Sequence, residues 1–296
     1  HYYLNSFSLH SLTHSTLRCA EQSSDALSSL ISHYIFFYHY CIRMIEKLFT
    51  IKGHGPILIT APHTIKTIRK SKYIHKKERY INNIIHKIYK NLGPKLCTLL
   101  TWNIDYINKY GLYPTDPNHV SIKKSTWFKQ LKTLKNKRKY YFHLDFHGMK
   151  NSSSKNDIEI GMKAIRLYHK GISQHMKKYI KIYFKKLNKS FGFHSIYQGW
   201  GKTTYNYKKF TITRQAILLG FFSLQLELSF DYRKELYENK ESLDNLVKII
   251  KKVYKNLKET IDNQKSKRIT NKNKNKINRF KTRKLPRHNN TLNKLR

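Results

Sequence analysis

The sequence is poor in cysteine and in acidic residues, and each scarcity excludes a class of protein. Its three cysteines, Cys19, Cys41 and Cys97, are too few and too widely spaced for a disulfide scaffold or a cysteine-ligated zinc site. Asp and Glu number 17 against 59 Lys and Arg, which gives a formal net charge of +42. Collagen, zinc fingers and small secreted scaffolds are therefore excluded. Any binding partner meets a strongly basic chain.

Long hydrophobic runs are also lacking. No uncharged stretch exceeds 17 residues, the lower limit for a membrane span, and the more apolar stretch of that length runs from Ala26 to Ile42. It contains serine and histidine side chains that would be costly in hydrocarbon. We therefore expect no membrane-spanning segment and a cytoplasmic protein.

What is present is enough for a folded domain. Apolar residues make up 39% of the 296 residues and aromatic residues 14%, which argues against a wholly disordered chain. Residues 1–50 are predicted to form an N-terminal extension that is partly helical. Residues 51–262 carry the periodic patterns of a folded domain. Residues 263–296 are basic and lack any period, and are predicted to be a disordered tail.

The positive charge has two interpretations. Thirteen Lys and Arg lie in residues 263–296, which leaves +29 spread over residues 1–262. Such an even spread, in a chain rich in Lys, Asn, Ile and Tyr, favours mutational bias towards A/T-rich codons. The alternative is a nucleic-acid-binding protein, supported by the basic tail and by aromatic residues among lysines in Tyr179–Phe184 and Tyr205–Phe210.

Three segments have the patterns of strands. Ile57–Ala61 is a continuous apolar run, typical of a strand that is buried on both faces. Tyr140–Phe146 is a second strand, and Phe221–Leu228 alternates leucines with polar residues. Residues 75–92 and 232–261 have apolar residues at helical spacing. Strands separated by helices predict an α/β domain with a largely parallel sheet.

Two histidines follow predicted strands. His63 comes just after Ile57–Ala61, and His147 comes just after the second strand, two residues beyond Asp145. Parallel α/β sheets bind ligands at the carboxyl ends of their strands, and neutral imidazole is a good zinc ligand. Asp145 is placed to orient His147 through a hydrogen bond. The alternative is that both are ordinary polar residues at strand ends, among 16 histidines.

Glu227 is the third candidate. Between Arg79 and Leu226 the chain has only five acids, so each acid that it retains is of interest. Glu227 lies in the alternating strand Phe221–Leu228, where an unpaired buried acid would be costly unless it has a function. A raised pKa would suit a general base that activates water. The alternative is a solvent-exposed face on an edge strand.

Several short motifs occur together in a characteristic order. They are listed in chain order: Ile57–Thr64 (ILITAPHT), Leu144–Gly148 (LDFHG), Asp157–Gly161 (DIEIG), Gln198–Gly201 (QGWG), Thr211–Arg214 (TITR) and Leu224–Leu228 (LQLEL). This order resembles the N-formylglutamate amidohydrolase family, one of the zinc carboxypeptidase-like and aspartoacylase-like enzymes. The resemblance covers about residues 53–240 and implies a three-layer α/β/α sandwich with a mixed, largely parallel sheet.

The resemblance also implies a site. By its motifs, His63 and His147 correspond to zinc ligands, and Glu227 to the general base of an amide-bond hydrolase. Arg214 corresponds to a basic residue suited to a substrate carboxylate or an oxyanion. Glu78 is the candidate for the acidic ligand. The implied cofactor is zinc, and the implied substrate is a small acidic or N-acylated amino acid or a small peptide.

The sequence departs from that family at two points. Position 66, where related peptidases have the glutamate of a His-x-x-Glu motif, is Lys66. The family's Arg-x-x-x-Asp-x-Asn-Arg segment is replaced by Thr101–Tyr106 and Thr115–Asn118. Because those arginines would bind an acidic substrate, a catalytically inactive relative that acts as a binding module remains an alternative to the hydrolase.

Overall fold

The computed structural model describes residues 31–35, 47–69, 73–140, 142–151, 157–161 and 211–283. Most of the predicted N-terminal extension, the motif Gln198–Gly201 and both basic–aromatic segments lie outside these residues. No helix in the described ranges is both long enough and apolar enough to cross a membrane.

A mixed six-stranded sheet forms the centre of the fold, and a small two-stranded sheet lies beside it. The strands are β1 (Phe49–Gly53), β2 (Ile57–Thr60), β3 (Thr67–Ile68), β4 (Ile74–His75), β5 (Cys97–Trp102), β6 (Phe142–Gly148), β7 (Ile158–Gly161) and β8 (Ser223–Leu228). The central sheet has the order β1-β5-β2-β6-β8-β7, and β3 pairs with β4. Its four inner strands are parallel, whereas the outer β1 and β7 are antiparallel to their neighbours.

Helices cover both faces of the central sheet. They are α1 (Ile81–Leu92), α2 (Ile104–Lys109), α3 (Thr126–Lys137), α4 (Ile212–Leu218), α5 (Phe230–Glu238) and α6 (Lys240–Arg283). One apolar core joins one face of the sheet to α1, α5 and α6, and a second core joins the other face to α2, α3 and α4. The predicted three-layer α/β/α sandwich with a largely parallel sheet is therefore confirmed.

Strict alternation gives β6 and β8 one apolar face and one polar face. The apolar set in the first core is Phe142, Leu144, Phe146, Leu224, Leu226 and Leu228. The intervening side chains, which point to the opposite face, are His143, Asp145, His147, Ser223, Gln225 and Glu227, and all six are buried. A row of buried polar groups thus runs across the middle of the sheet on the α4 side.

Two sequence-based expectations about these strands need correction. His147 does not lie beyond the second strand, because β6 runs on to Gly148. The edge-strand interpretation of Glu227 is wrong, because β8 lies between β6 and β7. Glu227 is 7% exposed, so its carboxyl group is shielded from water by the sheet and the layers that cover it.

The predicted helix over residues 232–261 is two helices. Asn239 ends α5, and its side chain then caps α6 by accepting hydrogen bonds from the N–H groups of Glu241 and Ser242. The second helix continues to Arg283, so residues 263–283 are helical rather than disordered. Once a helix has formed on a packed core, each further residue adds one backbone hydrogen bond, and lysine has a high helix propensity.

Candidate metal centre

Two adjacent parallel strands bring His63 and His147 together. β2 pairs with β6 so that Thr60 lies opposite Asp145, and the carboxyl ends of the two strands are therefore neighbours. His63 follows the end of β2, and His147 lies near the end of β6. The Nδ1 atoms of the two imidazoles are 3.2 Å apart, and both side chains are buried.

Glu78 reaches the histidines from the segment that leads into α1. Its backbone N–H donates to the carbonyl oxygen of His63 over 2.8 Å. Its Oε1 lies 3.0 Å from Nδ1 of His63 and 3.8 Å from Nδ1 of His147. Its Oε2 accepts the N–H of Gly148 over 2.8 Å. One carboxylate oxygen is thus held by the backbone while the other faces both imidazoles.

A second carboxylate lies behind each imidazole. Oδ1 of Asp116 is 3.1 Å from Nε2 of His63, and Oδ2 of Asp145 is 3.2 Å from Nε2 of His147. An ionised carboxylate only accepts hydrogen bonds, so Nε2 of each imidazole can donate its N–H to the carboxylate behind it while Oε1 of Glu78 lies on the Nδ1 side. A neutral imidazole that donates from Nε2 turns the lone pair of Nδ1 towards Glu78.

Three electron-rich atoms therefore converge on one point. They are Nδ1 of His63, Nδ1 of His147 and Oε1 of Glu78, and they all lie within 4.8 Å of one another. Lone pairs that face each other at these distances repel unless a cation lies between them. The arrangement can hold that cation either as a proton on one of the imidazoles or as a metal ion.

The pKa values of the cluster show how strongly it attracts positive charge. Burial disfavours the imidazolium of His63, but the charge of Glu78 and hydrogen bonds to Asp116 and Glu78 raise its pKa to about 9. Burial also disfavours the imidazolium of His147, but the charge of Asp145 and hydrogen bonds to Asp145 and Glu78 together raise its pKa well above the ordinary value. Burial would raise the pKa of Glu78, yet the two histidines hold it well below its usual range.

Glu227 lies beside this cluster. Its Cα is paired with that of His147 across β6 and β8, and with that of Glu159 across β7 and β8. Its Oε1 accepts a hydrogen bond from Nε2 of Gln225 over 2.9 Å. Burial raises the pKa of Glu227 to about 7; the charge of His147 opposes this rise and the charge of Glu78 adds to it. A carboxyl group with such a pKa suits proton transfer near neutral pH.

Arg214 lies in the first turn of α4, where its backbone N–H donates to Oγ1 of the N-cap residue Thr211. Its neighbour Thr213 donates to Oδ2 of Asp145 from both the backbone N–H and the hydroxyl, over 3.2 and 3.0 Å. The start of α4 is therefore tied to the polar row of β6. The Arg214 side chain is partly exposed.

Sequence reasoning did not assign Asp116 to the site. This fully buried carboxylate accepts from Nε of Arg69 over 2.7 Å as well as contacting His63. Burial would raise its pKa, but hydrogen bonds to His63 and Arg69 lower it below its usual range. The available signal was the scarcity of acids, because Asp116 is one of only five between Arg79 and Leu226.

The charge of His63 predicts how stability depends on pH. We expect the metal-free chain to lose up to about 3 kcal/mol of its free energy of unfolding as the pH rises from 6.5 to 9. The folded state raises the pKa of His63 from 6.5 to about 9, so its stabilisation is complete below pH 6.5 and lost through pH 9. Urea denaturation with a chelator, repeated across this range, measures the effect.

Metal should reverse that trend, because an ion that replaces the proton binds better as the pH rises. His54→Ala is the control for His63→Ala, since His54 is exposed on the segment that precedes β2. The His54 variant should keep the full pH dependence, whereas the His63 variant should show a smaller one, because only the contribution of His147 remains. A metal-free stability that stays level or increases over the same window contradicts this account of His63.

Comparison with known proteins gives a weak likeness. No family model and no curated protein matches the sequence. An N-formylglutamate amidohydrolase from Ralstonia eutropha is 11% identical, with a TM-score of 0.39, over 72% of this chain and 99% of that one. The zinc-free structure of YndL is also 11% identical, with a TM-score of 0.39, over 71% of this chain and 90% of that one.

A metallo-carboxypeptidase from Pseudomonas aeruginosa is 14% identical, with a TM-score of 0.40. The match covers 68% of this chain and 58% of that one. A likeness of this degree carries no conclusion about the activity of the chain. Any functional conclusion has to come from the geometry around His63, Glu78 and His147.

Proposed function

We propose that this chain is a zinc-dependent hydrolase of an amide bond in an N-acylated amino acid or small peptide, similar to the N-formylglutamate amidohydrolases and zinc carboxypeptidases. One observation carries the proposal. Two imidazoles and one carboxylate turn their inner atoms to a common point, and each imidazole is held from behind by a buried carboxylate. Carboxylate–histidine pairs of this kind are typical of zinc ligands in proteins.

The distances fit a zinc ion. Ligand atoms bound tetrahedrally at 2.0–2.1 Å lie about 3.4 Å from each other. The three separations here are 3.2 Å between the Nδ1 atoms of His63 and His147, and 3.0 and 3.8 Å from these to Oε1 of Glu78. Three protein ligands leave a fourth position open, as catalytic zinc sites do.

The metal ligands and Glu227 would have separate roles in the reaction. A zinc ion held by His63, Glu78 and His147 would polarise a substrate carbonyl and lower the pKa of a water molecule. Glu227 would take a proton from the attacking water and pass it to the nitrogen of the leaving amine. Its pKa of about 7 lets it both accept and release that proton near neutral pH.

We assign the binding of an acidic substrate to two arginines, Arg214 and Arg69. Arg214, from the family resemblance, would hold a substrate carboxylate or the oxyanion that forms during the reaction. Arg69 is a further cation on this side, with 30% of its side chain exposed, and it is linked through Asp116 to His63. A substrate carboxylate that reaches Arg69 would therefore lie close to the cluster.

Metal analysis of the purified chain tests the proposal. We expect about one zinc per chain, and we expect His147→Ala to lose it because one of three protein ligands is removed. His54→Ala should retain the metal. A folded chain that binds no zinc, or a His147→Ala variant with full zinc content, would overturn the proposed metal centre.

A further inference from the structure

Arg233 in α5 is a buried arginine whose guanidinium bonds to backbone carbonyls. It is 5% exposed. Its Nε donates to the carbonyl oxygen of Ser229 over 3.2 Å, one Nη donates to that of Arg79 over 2.8 Å, and the other donates to that of Met149 over 3.0 Å. The three acceptors belong to three separate segments of the chain.

Each of those segments carries one residue of the candidate site. Arg79 follows Glu78 directly, Met149 lies two residues after His147, and Ser229 lies two residues after Glu227. We propose that Arg233 is a positioning residue: its guanidinium fixes the segments of Glu78, His147 and Glu227 relative to one another. It does so from outside the cluster, through the backbone rather than through the side chains that would touch metal or substrate.

Gly148 makes this contact possible. A Cβ atom built on Gly148 would lie 2.5 Å from one Nη of Arg233 and 2.6 Å from its Cζ, so any larger residue would displace the guanidinium. The N–H of the same residue donates to Oε2 of Glu78. The guanidinium therefore packs on the residue that joins the strand of His147 to the carboxylate of Glu78.

The backbone beside Arg79 supports the same conclusion. Tyr80, the next residue, has φ of 69°, a left-handed conformation that is strained for a residue other than glycine. Such strain persists only where neighbouring contacts determine the conformation. The bond from Arg233 to the carbonyl of Arg79 is one of these contacts, and the Tyr80 ring stacks on Tyr237 with centroids 5.0 Å apart.

The position of the charge is also consistent with this role. Burial lowers the pKa of Arg233, while the charges of Glu78 and Glu227 act in the opposite direction and favour the guanidinium. The same buried cation therefore attracts both carboxylates while it holds their segments. A lysine would keep the charge, but its single ammonium lacks the planar fork that bonds to carbonyls in several directions.

This inference rests on the proposed zinc centre, and zinc affinity is its test. Arg233→Lys should raise the zinc dissociation constant about 10- to 100-fold, as loss of outer partners of ligands does. Arg79→Lys is the matched control: the guanidinium groups of Arg233 and Arg79 both lie over the Phe230 ring, but Arg79 is exposed. Its zinc affinity should stay within about twofold of the native value. Competition with a chromogenic chelator measures both.

Gly148→Ala supplies a second route to the same result. It retains Arg233 but displaces its guanidinium, so we expect a comparable loss of zinc affinity and little additional loss when it is combined with Arg233→Lys. Should Arg233→Lys fail to fold, the zinc affinity of Gly148→Ala alone tests whether Arg233 positions the site. A variant with native zinc affinity and only a lower melting temperature would show that Arg233 merely stabilises the fold. A native chain without zinc would overturn the metal centre itself, which is a different outcome.

Discussion

Replacing Glu227 with glutamine is expected to lower kcat/KM for N-acylated amino acids or short peptides by about 10²–10⁴-fold, the usual contribution of a general base. The amide keeps the shape of the side chain and can still bond to Gln225, which lies 2.9 Å from the carboxylate. It cannot accept a proton from water. Zinc content and the free energy of unfolding should therefore remain near native, and only turnover should fall.

The control for this variant is Glu159→Gln. Glu159 lies directly opposite Glu227 on β7, so the two changes replace the same kind of carboxyl group at neighbouring positions. We expect the Glu159 variant to retain most of the activity. Unchanged turnover in zinc-loaded Glu227→Gln would refute its role as the base. Absence of turnover in a zinc-loaded native chain would instead favour a binding module over a hydrolase.

The part of the site that follows from strand patterns could be predicted from the sequence. A buried run that ends two residues before His63, and a second strand that carries His147, are enough to place both at one edge of a parallel sheet. The alternation in β8 correctly predicted that Glu227 lies on the polar face of the strand. Its position inside the sheet could not be predicted, because the short strand β7 that covers the edge was not recognised.

Glu78 and Asp116 reach the cluster through connections that leave little trace in the sequence. Glu78 follows a hairpin of two-residue strands, Thr67–Ile68 and Ile74–His75, which are too short to show a period. Asp116 is held by a backbone bond from its N–H to the carbonyl of Ile68. Such contacts depend on tertiary geometry, so the family resemblance and the scarcity of acids together indicate Glu78, and only the scarcity of acids marks Asp116.

Some strands were missed for a different reason. β5 (CTLLTW) is buried throughout, yet its threonines interrupt the apolar run that would indicate a central strand. One of them, Thr98, has its hydroxyl satisfied by the carbonyl of Gly55 at 2.8 Å. A buried threonine whose hydroxyl has a hydrogen-bond partner costs little, so hydropathy alone underestimates how much of such a strand is buried.

Asp145→Ala is expected to cost about 3–5 kcal/mol of the free energy of unfolding, as removal of one partner from a buried ion pair does. Asp145 is fully buried and accepts four hydrogen bonds. They come from the hydroxyl of Thr60, the backbone N–H and hydroxyl of Thr213, and Nε2 of His147. Alanine leaves all four donors without this acceptor. Urea denaturation in the presence of a chelator measures the loss.

Asp145→Asn should cost clearly less, because the polar row around it can reverse its hydrogen bonds. The amide oxygen can replace Oδ2 towards Thr213 and His147, while the amide NH₂ faces the hydroxyl of Thr60. That hydroxyl then donates to Nε2 of His143, which is 2.9 Å away, and His143 donates from Nδ1 to Ser223, 2.6 Å away. Burial lowers the pKa of His143 to about 4, so it stays neutral and free to change tautomer.

The two variants together separate hydrogen bonding from charge. Both remove the carboxylate behind His147 and should weaken zinc binding about 10- to 100-fold, but only alanine should also cause the large loss of stability. Asp105→Ala is the control, since Asp105 is exposed on α2 and should cost no more than about 1 kcal/mol. If Asp145→Asn proves as destabilising as Asp145→Ala, the reversible chain through Thr60 and His143 is wrong. If neither variant changes zinc affinity, Asp145 does not orient His147.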